Sequence, residues 1–388
     1  MCIRDRVITP KSKHDLQLQA VMRPLPLAEI QAHIPDEARL IYYAVLDDKL
    51  LIWIISHAEA QPPVEVSVSQ ALLNEAVTQY CSALEGTSDA DRETARRLAR
   101  ELYDDLLASV EPLLGGSKRL CIIPDKMLNR LPWEALILPS GRSVVQDYRV
   151  TVAPSATVFA KCTEIAAQKA GARPERGIII GNPSFDHETF PKLKSLVDAA
   201  DEAREIAKLY PASPLLLGPA AREQTVCDEL AKADVAHLAL HCWINPRSAM
   251  RSALVLAKEP AGSANSQAPD GLLQAYEIYN MRLQKTRLAV LSSCESGVER
   301  YYRGEGMIGL ARAFLVARVP LVVASLWPVD SSATKELMIR FHQYRKLGHP
   351  TDEALRLAKC DLLERRNERD SQPVYWAAFQ VIGGLANY

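Results

Sequence analysis

The chain has 388 residues, of which 48% are hydrophobic and 24% charged, a composition typical of a globular protein long enough for two or three domains. Its 46 Lys and Arg residues nearly balance its 47 Asp and Glu residues, so the charge gives no reason to expect nucleic acid or a membrane surface as a partner. The best apolar run, from Phe314 to Trp327, is interrupted by Arg318 and Pro320, which argues against a membrane span.

The N-terminal residues and the cysteines bear on processing and location. The first residues carry neither an apolar signal-peptide core nor a clear fold pattern, so we expect residues 1–24 to be poorly defined, the remnant of a longer N-terminal region, and the chain to be a fragment. The eight cysteines are scattered without a C-x-x-C pair. In a chain of this size they indicate reduced thiols, and we expect a cytoplasmic protein.

The first half mixes strands and helices. Two β-rich runs at 38–46 and 50–56 flank a polar Asp-Asp-Lys turn and predict a hairpin. The later predicted elements are a helix over 89–110, strands at 119–124 and 149–153, and a helix capped by Ser155. We therefore predict a smaller α+β unit over residues 25–170.

From residue 171 onward, short apolar strands alternate with amphipathic helices. The predicted strands lie at 177–181, 215–217, 235–240, 254–256, 288–292 and 321–325. The predicted helices lie at 198–209, 223–232, 274–280, 305–316, 331–347 and 351–365. This alternation is typical of a mostly parallel sheet covered on both faces, so we predict an α/β fold with an αβα sandwich over residues 171–388.

Two predicted strands end in reactive residues: one runs into His241 and the other into Cys294. If the two strands are adjacent and parallel, both side chains emerge at the carboxyl edge of the sheet, where ligands bind in such folds. A cysteine nucleophile needs an imidazole, which lowers the thiol pKa and protonates the leaving amine. Residue 294 minus residue 241 gives a separation of 53, the order and spacing of the caspases. The alternative is a structural cysteine.

Other interpretations of this region are weaker. A zinc site formed by His237 and His241 requires a helix, whereas a strand separates the rings by roughly 13 Å at about 3.3 Å per residue. We therefore expect no metal or other cofactor, and we interpret His237 as a core histidine. The glycines at 297, 304 and 306 lack the Lys-Ser/Thr of a phosphate loop, so a nucleotide-binding sheet is a weak third hypothesis.

A series of sequence blocks runs in order through both halves. The blocks include RLCIIPDKMLNRLPWEAL, VAPSATV, HLALHCW, DGLLQAYEI, LAVLSSCESG, RGEGMIGLARAFLVARVPLVVASLWPVD and PVYWAAFQVIGG. Together they resemble the CHAT domain, a caspase-like cysteine peptidase domain of the clan that includes separase. The resemblance implies a pseudo-caspase-like first half, a caspase-like catalytic half and cleavage of a protein substrate. Such domains often follow tetratricopeptide repeats, which implies a tetratricopeptide-type regulatory region or partner protein.

Carried over by position, the resemblance implies that His241 is the general acid/base and Cys294 the nucleophile. The backbone N–H groups of Cys242 and Cys294 would bind the oxyanion. The family usually has Gly in place of Cys242, and a non-glycine residue does not easily take a positive φ. A catalytically weak CHAT-type scaffold that binds proteins is therefore the second hypothesis. We interpret Cys242 itself either as a small apolar residue or as a redox partner of Cys294.

The resemblance suggests Asp330 and Ser331 for the substrate pocket, and the residue types themselves suggest Glu305 and Trp327. Ser331 stands where related sequences often have an Asp that recognises a basic residue, so Asp330 is the candidate substitute. Glu305 is a candidate for orienting the histidine or for binding a substrate amine, or it is a first-turn acid that stabilises its helix. Trp327 is a candidate for the cleft lining, or a core residue. Arg318 stands where Gly is common.

Overall fold

The computed structural model describes residues 23–171, 174–245, 248–259, 270–292, 305–364 and 371–388, without the side chains of 305–308. Its strands are β1 (Ala38–Val45), β2 (Leu50–Ile55), β3 (Val64–Val66), β4 (Arg119–Ile123), β5 (Arg149–Val152), β6 (Gly177–Pro183), β7 (Leu215–Gly218), β8 (Val235–Ala239), β9 (Cys242–Trp243), β10 (Ala253–Val255), β11 (Leu272–Gln274), β12 (Leu288–Leu291), β13 (Leu321–Ser325) and β14 (Phe379–Gly383). Its α-helices are α1 (Leu27–Gln31), α2 (Gln70–Glu85), α3 (Asp89–Tyr103), α4 (Val144–Asp147), α5 (Ala156–Lys169), α6 (Val197–Lys208), α7 (Glu223–Leu230), α8 (Ala275–Asn280), α9 (Glu305–Val316), α10 (Ser331–Lys346), α11 (Thr351–Leu363) and α12 (Pro373–Trp376).

One eleven-stranded sheet runs through both halves in the order β3-β2-β1-β4-β5-β14-β13-β12-β8-β6-β7. Adjacent strands are antiparallel in the pairs β3–β2, β2–β1 and β14–β13. The other pairs are parallel. Beyond His241, β9, β10 and β11 form a small antiparallel sheet. The prediction of a large, mostly parallel sheet is confirmed.

Helices cover both faces of the sheet in the second half. Val235 and Val290 pack in the same core cluster as residues of α6, α10 and α11. Their neighbours Ala236 and Leu291 point the other way, into a cluster with residues of α7 and α9. Because side chains alternate across a strand, the apolar runs of β8 and β12 supply both cores, and the predicted αβα sandwich is confirmed.

Strand β14 lies between the two halves of the sheet, parallel to β5 and antiparallel to β13. This strand was not predicted, because its short apolar run follows directly on an aromatic turn and has no periodicity of its own. Gly383, which ends the strand, has a φ of 133°, and a Cβ there would lie 2.1 Å from the Pro320 carbonyl oxygen. Only glycine fits such an approach.

Smaller differences concern the first half. The predicted helix over 89–110 ends as an α-helix at Tyr103 and continues as a π-turn over Asp104–Ala108. Helix α2 was not predicted. The hairpin of β1 and β2 is confirmed, and so is the Ser155 cap, whose side chain accepts the Val158 N–H. Within the described ranges, no helix is both long and apolar enough to cross a bilayer.

Candidate active site

Strands β8 and β12 are adjacent and parallel, with Leu238 opposite Leu291. His241 therefore follows one strand at the same edge of the sheet where Ser292 follows the other. The prediction that these two strands end side by side is confirmed. Cys294 and the side chain of Glu305 lie outside the described residues, so the pairing of His241 with Cys294 stays a prediction.

The His241 ring is buried, with 3% of the residue exposed, and its contacts with Lys194 and Phe185 orient it. Its Nε2 lies 2.7 Å from the Lys194 carbonyl oxygen, and the Phe185 ring meets it edge to face at 5.4 Å between centroids. A carbonyl oxygen can only accept, so Nε2 must carry the hydrogen. In the neutral ring the lone pair therefore sits on Nδ1. This is the tautomer in which Nδ1 acts as the base.

Asn182 holds the loop that presents Lys194. Its Oδ1 accepts the Leu196 N–H at 2.8 Å, and its Nδ2 donates to the Ser195 hydroxyl at 2.9 Å. Its φ of 46° is in the left-handed region, which Asn tolerates better than most residues. Neither Lys194 nor Asn182 was predicted as part of the site. A backbone carbonyl leaves no sequence signal, whereas the Gly-Asn-Pro at the end of β6 is a turn signal that could have identified Asn182.

Cys242 belongs to β9 and pairs with Leu254 of β10. Its side chain is 3% exposed and lies in the apolar cluster that contains Ile244 and Leu254. Among the described non-glycine residues, positive φ values occur at Lys126, Asn182 and Arg318, and Cys242 is not one of them. The expected conflict between a side chain at this position and a positive φ therefore does not arise. The oxyanion role of its N–H stays a prediction.

The candidate pocket residues after β13 have structural partners. Asp330 caps α10, with its Oδ1 accepting the N–H groups of Ser332 and Ala333 at 3.1 Å each. Ser331 is the first residue of that helix. Trp327 is 5% exposed, packs in the core, and donates from Nε1 to the Val374 carbonyl at 3.2 Å. Their part in a substrate pocket stays a prediction.

A buried acid, Glu202, lies below this edge with 2% of the residue exposed. The Ser292 hydroxyl donates to its Oε1 at 2.6 Å. The Nε2 atom of His237 lies 2.9 Å from the same oxygen, with its N–H angle outside hydrogen-bond geometry. The His237 ring is fully buried, as expected for a core histidine, and its Nδ1 lies 3.1 Å from Nε2 of His342. Glu202 was not predicted as part of the site, because its sequence context is that of any acid in an amphipathic helix.

Comparison with curated proteins finds tetratricopeptide repeat protein 28 of Homo sapiens and of Mus musculus. Each is 25% identical over 358 residues and covers 77% of this chain. The chain spans 14% of the length of these relatives. The likeness therefore concerns one part of much longer proteins.

Among solved structures, the chain is similar to the separase–securin complex of Saccharomyces cerevisiae, with a TM-score of 0.60 and 11% identity over 96% of this chain and 31% of that one. A second structure of that complex has a TM-score of 0.56 and 10% identity over 92% of this chain and 31% of that one. At such identities the likeness shows the fold alone, and it confirms the caspase-like fold class. A family model described as the CHAT domain matches residues 96–384. That match spans well over half of the sequence, and the chain belongs to the CHAT domain family.

Proposed function

We propose that this domain is a cysteine-type endopeptidase that cuts a protein substrate through His241 and Cys294. The observation that carries the proposal is the parallel pairing of β8 with β12, because it brings His241 to the edge of the sheet from which the segment with Cys294 departs. The hydrogen bond from His241 to the Lys194 carbonyl supports it further, since it leaves Nδ1 as the basic nitrogen.

The proposed reaction has two stages. Nδ1 of His241 takes the thiol proton of Cys294, and the thiolate attacks the scissile carbonyl. The N–H groups of Cys242 and Cys294 hold the oxyanion, the C–N bond breaks, and the amine leaves with the proton from His241. Water then attacks the thioester with His241 as the base, which releases the acid and restores the thiol. The Nε2–H bond to the carbonyl stabilises the imidazolium that forms in each stage.

We further propose that the residues after β13, with Glu305, contribute to the substrate pocket, and that Asp330 or Ser331 contacts the residue before the cut. The relatives are named as tetratricopeptide repeat proteins, and the separase in the similar structure is bound to securin. These findings support a repeat region or partner protein as the regulator of this domain. The cytoplasmic location is part of the same proposal.

The direct test treats the full chain with a peptide-based electrophile and, separately, with a mixture of protein substrates. We expect Cys294 to be labelled, cut products to appear, and both to vanish in Cys294→Ala. An unlabelled Cys294 together with uncut substrates would refute the peptidase.

A second candidate function is a catalytically weak domain that binds proteins. The observation that favours it is Cys242, which stands where the family usually has Gly and whose buried side chain ties β9 to the core. Cys242→Gly separates the two candidates: a large gain in turnover indicates an impaired peptidase, and inactivity of both forms favours the binding domain.

A further inference from the structure

Strand β12 is held at both ends by buried acids. Before the strand, Nη2 of Arg287 donates to Oε1 of Glu175 at 2.8 Å. After it, the Ser292 hydroxyl donates to Oε1 of Glu202 at 2.6 Å. The side chains of Glu175 and Arg287 are 11% and 5% exposed, and Glu202 and Ser292 are 2% exposed each. Solvent therefore competes little with either contact.

A chain of polar side chains connects these two acids beneath the sheet. Oε1 of Glu175 lies 2.8 Å from Nη2 of Arg345, and Nη1 of Arg345 lies 3.0 Å from the Tyr210 hydroxyl. That hydroxyl lies 2.9 Å from Nδ1 of His342, and Nε2 of His342 lies 3.1 Å from Nδ1 of His237. Finally, Nε2 of His237 lies 2.9 Å from Oε1 of Glu202. The first four links are hydrogen bonds, whereas the last is a close approach outside hydrogen-bond geometry. Together with β12, these contacts connect Arg287 to Ser292.

The donors in this chain have one consistent direction. A guanidinium only donates, so the Tyr210 oxygen accepts from Arg345 and its own hydrogen goes to Nδ1 of His342. The Nε2–H of His342 then donates to Nδ1 of His237. This leaves the hydrogen of His237 on Nε2, the atom that lies 2.9 Å from Oε1 of Glu202. Burial, together with the charge of Arg345, holds the pKa of His342 well below its usual value, which agrees with a neutral ring.

Stability alone does not account for such a chain. In the register of the sheet, His237 sits between Ile179 and Val290, and the surrounding face is apolar. Well-packed apolar residues in place of a buried charged network are often as stable or more so. Hydrogen bonds between buried side chains, in contrast, hold the groups that they join in one geometry.

We propose that Glu202 is a positioning residue that acts on Cys294 through Ser292. By holding the Ser292 hydroxyl, it fixes the point where the chain leaves β12, two positions before Cys294. This inference rests on the proposed function, because it takes Cys294 as the nucleophile. Glu202 itself does not contact the reacting atoms.

The test measures alkylation of Cys294 by iodoacetamide in the full chain at about pH 6, where an ordinary thiol with a pKa of about 8.5 is mostly protonated. The product is followed on the tryptic peptide 288–300, which holds one cysteine. Glu202→Gln and Ser292→Ala should each lower the rate at least fivefold. The double variant should lose little more than the stronger single variant, since both changes break one link.

A matched control is Glu134→Gln, which alters another buried acid, 4% exposed and paired with Lys359 of α11. It should leave the rate within twofold of wild type and keep the pH profile, whereas Glu202→Gln should shift the profile toward that of an ordinary thiol. If Glu202→Gln fails to fold, Ser292→Ala still tests the same link, because it removes only a single hydroxyl.

The experiment distinguishes failure of the positioning role from failure of the proposed function. Alkylation rates that match wild type in Glu202→Gln and Ser292→Ala, or that fall equally in Glu134→Gln, overturn the positioning role. A wild-type Cys294 that reacts no faster than a free cysteine refutes the proposed function instead. Amide hydrogen exchange over residues 288–300 then decides the positioning role: faster exchange in Glu202→Gln but not in Glu134→Gln supports it, and unchanged exchange overturns it.

Discussion

The Nε2 hydrogen of His241 is donated to the backbone carbonyl of Lys194 over 2.7 Å. The contact joins the end of β8 to the loop between β6 and α6, two neighbouring parts of the sheet edge. It does for the histidine what a carboxylate does in many catalytic sites: it fixes the ring orientation and selects the tautomer. The geometry of that loop is therefore part of the proposed chemistry.

Loosening the Lys194 loop should weaken catalysis without removing a catalytic group. Asn182→Gly keeps the positive φ but removes the side-chain bonds to Ser195 and Leu196, so we expect about a tenfold slower reaction of Cys294, equivalent to about 1.4 kcal/mol. The measurement is the alkylation rate at about pH 6. Asn129→Gly, which removes an exposed amide in the first half, is the control. Equal rates in the two variants would show that the loop does not matter.

Replacing Arg318 by glycine should stabilise the protein. Arg318 has a φ of 73°, which costs a non-glycine residue about 1 kcal/mol, and its carbonyl contact with Lys169 is independent of the side chain. We expect Arg318→Gly to raise the free energy of unfolding by about 1 kcal/mol in urea. Arg318→Ala keeps the strained backbone and should show no such gain. An alanine variant as stable as the glycine variant would disprove the explanation.

Glu175 should make stability depend on acid pH. Burial alone would raise its pKa, but Arg345, Arg287 and Lys346 outweigh it and lower the pKa to about 2. Because the folded pKa lies below the unfolded one, the carboxylate stabilises the fold above about pH 4.5, and this contribution is lost as the pH falls toward 2. We expect a loss on the order of 2–3 kcal/mol over that range.

The matched variant for this pH dependence is Glu175→Gln. It should be less stable than wild type at pH 7, and the difference should shrink as the pH falls from 5 to 2. Glu65→Gln, which alters an exposed acid paired with Lys49, should keep the wild-type pH dependence. A constant difference between wild type and Glu175→Gln across this range would contradict the assignment.

Cys242→Gly should lower stability even if it raises turnover. The substitution removes a buried thiol from the core and places glycine in a strand, so we expect a loss of about 1–2 kcal/mol in urea. Cys121→Gly, at a fully buried position of β4, should cost a similar amount and leave turnover unchanged. A change in turnover in both variants would mean that Cys242→Gly acts through general loosening of the fold.

The sequence predicted much of the fold because the second half has strong, regular patterns. The continuous apolar runs of β8 and β12 and the helices between them have the periods that parallel α/β folds require. Strand β14 could not be recognised, because its role is defined by partners more than two hundred residues away in β5. The continuity of the sheet across the two halves was missed for the same reason.

The candidate site was predictable where chemistry depends on side-chain type. His241 stood out because a reactive residue follows a buried strand. The groups around it depend on three-dimensional contacts: a backbone carbonyl at Lys194, and a glutamate whose role at residue 202 becomes visible only beside Ser292. Trp327 illustrates the opposite case, since its pattern allowed both a cleft and a core position and the structure places it in the core.

The central claim, that His241 activates Cys294, is tested most directly by the pH profile of Cys294 alkylation in wild type and His241→Ala. We expect the wild-type thiol to react at least tenfold faster than the variant at about pH 6, and the variant to follow an ordinary thiol with a pKa of about 8.5. Superimposable profiles for the two proteins would contradict the claim.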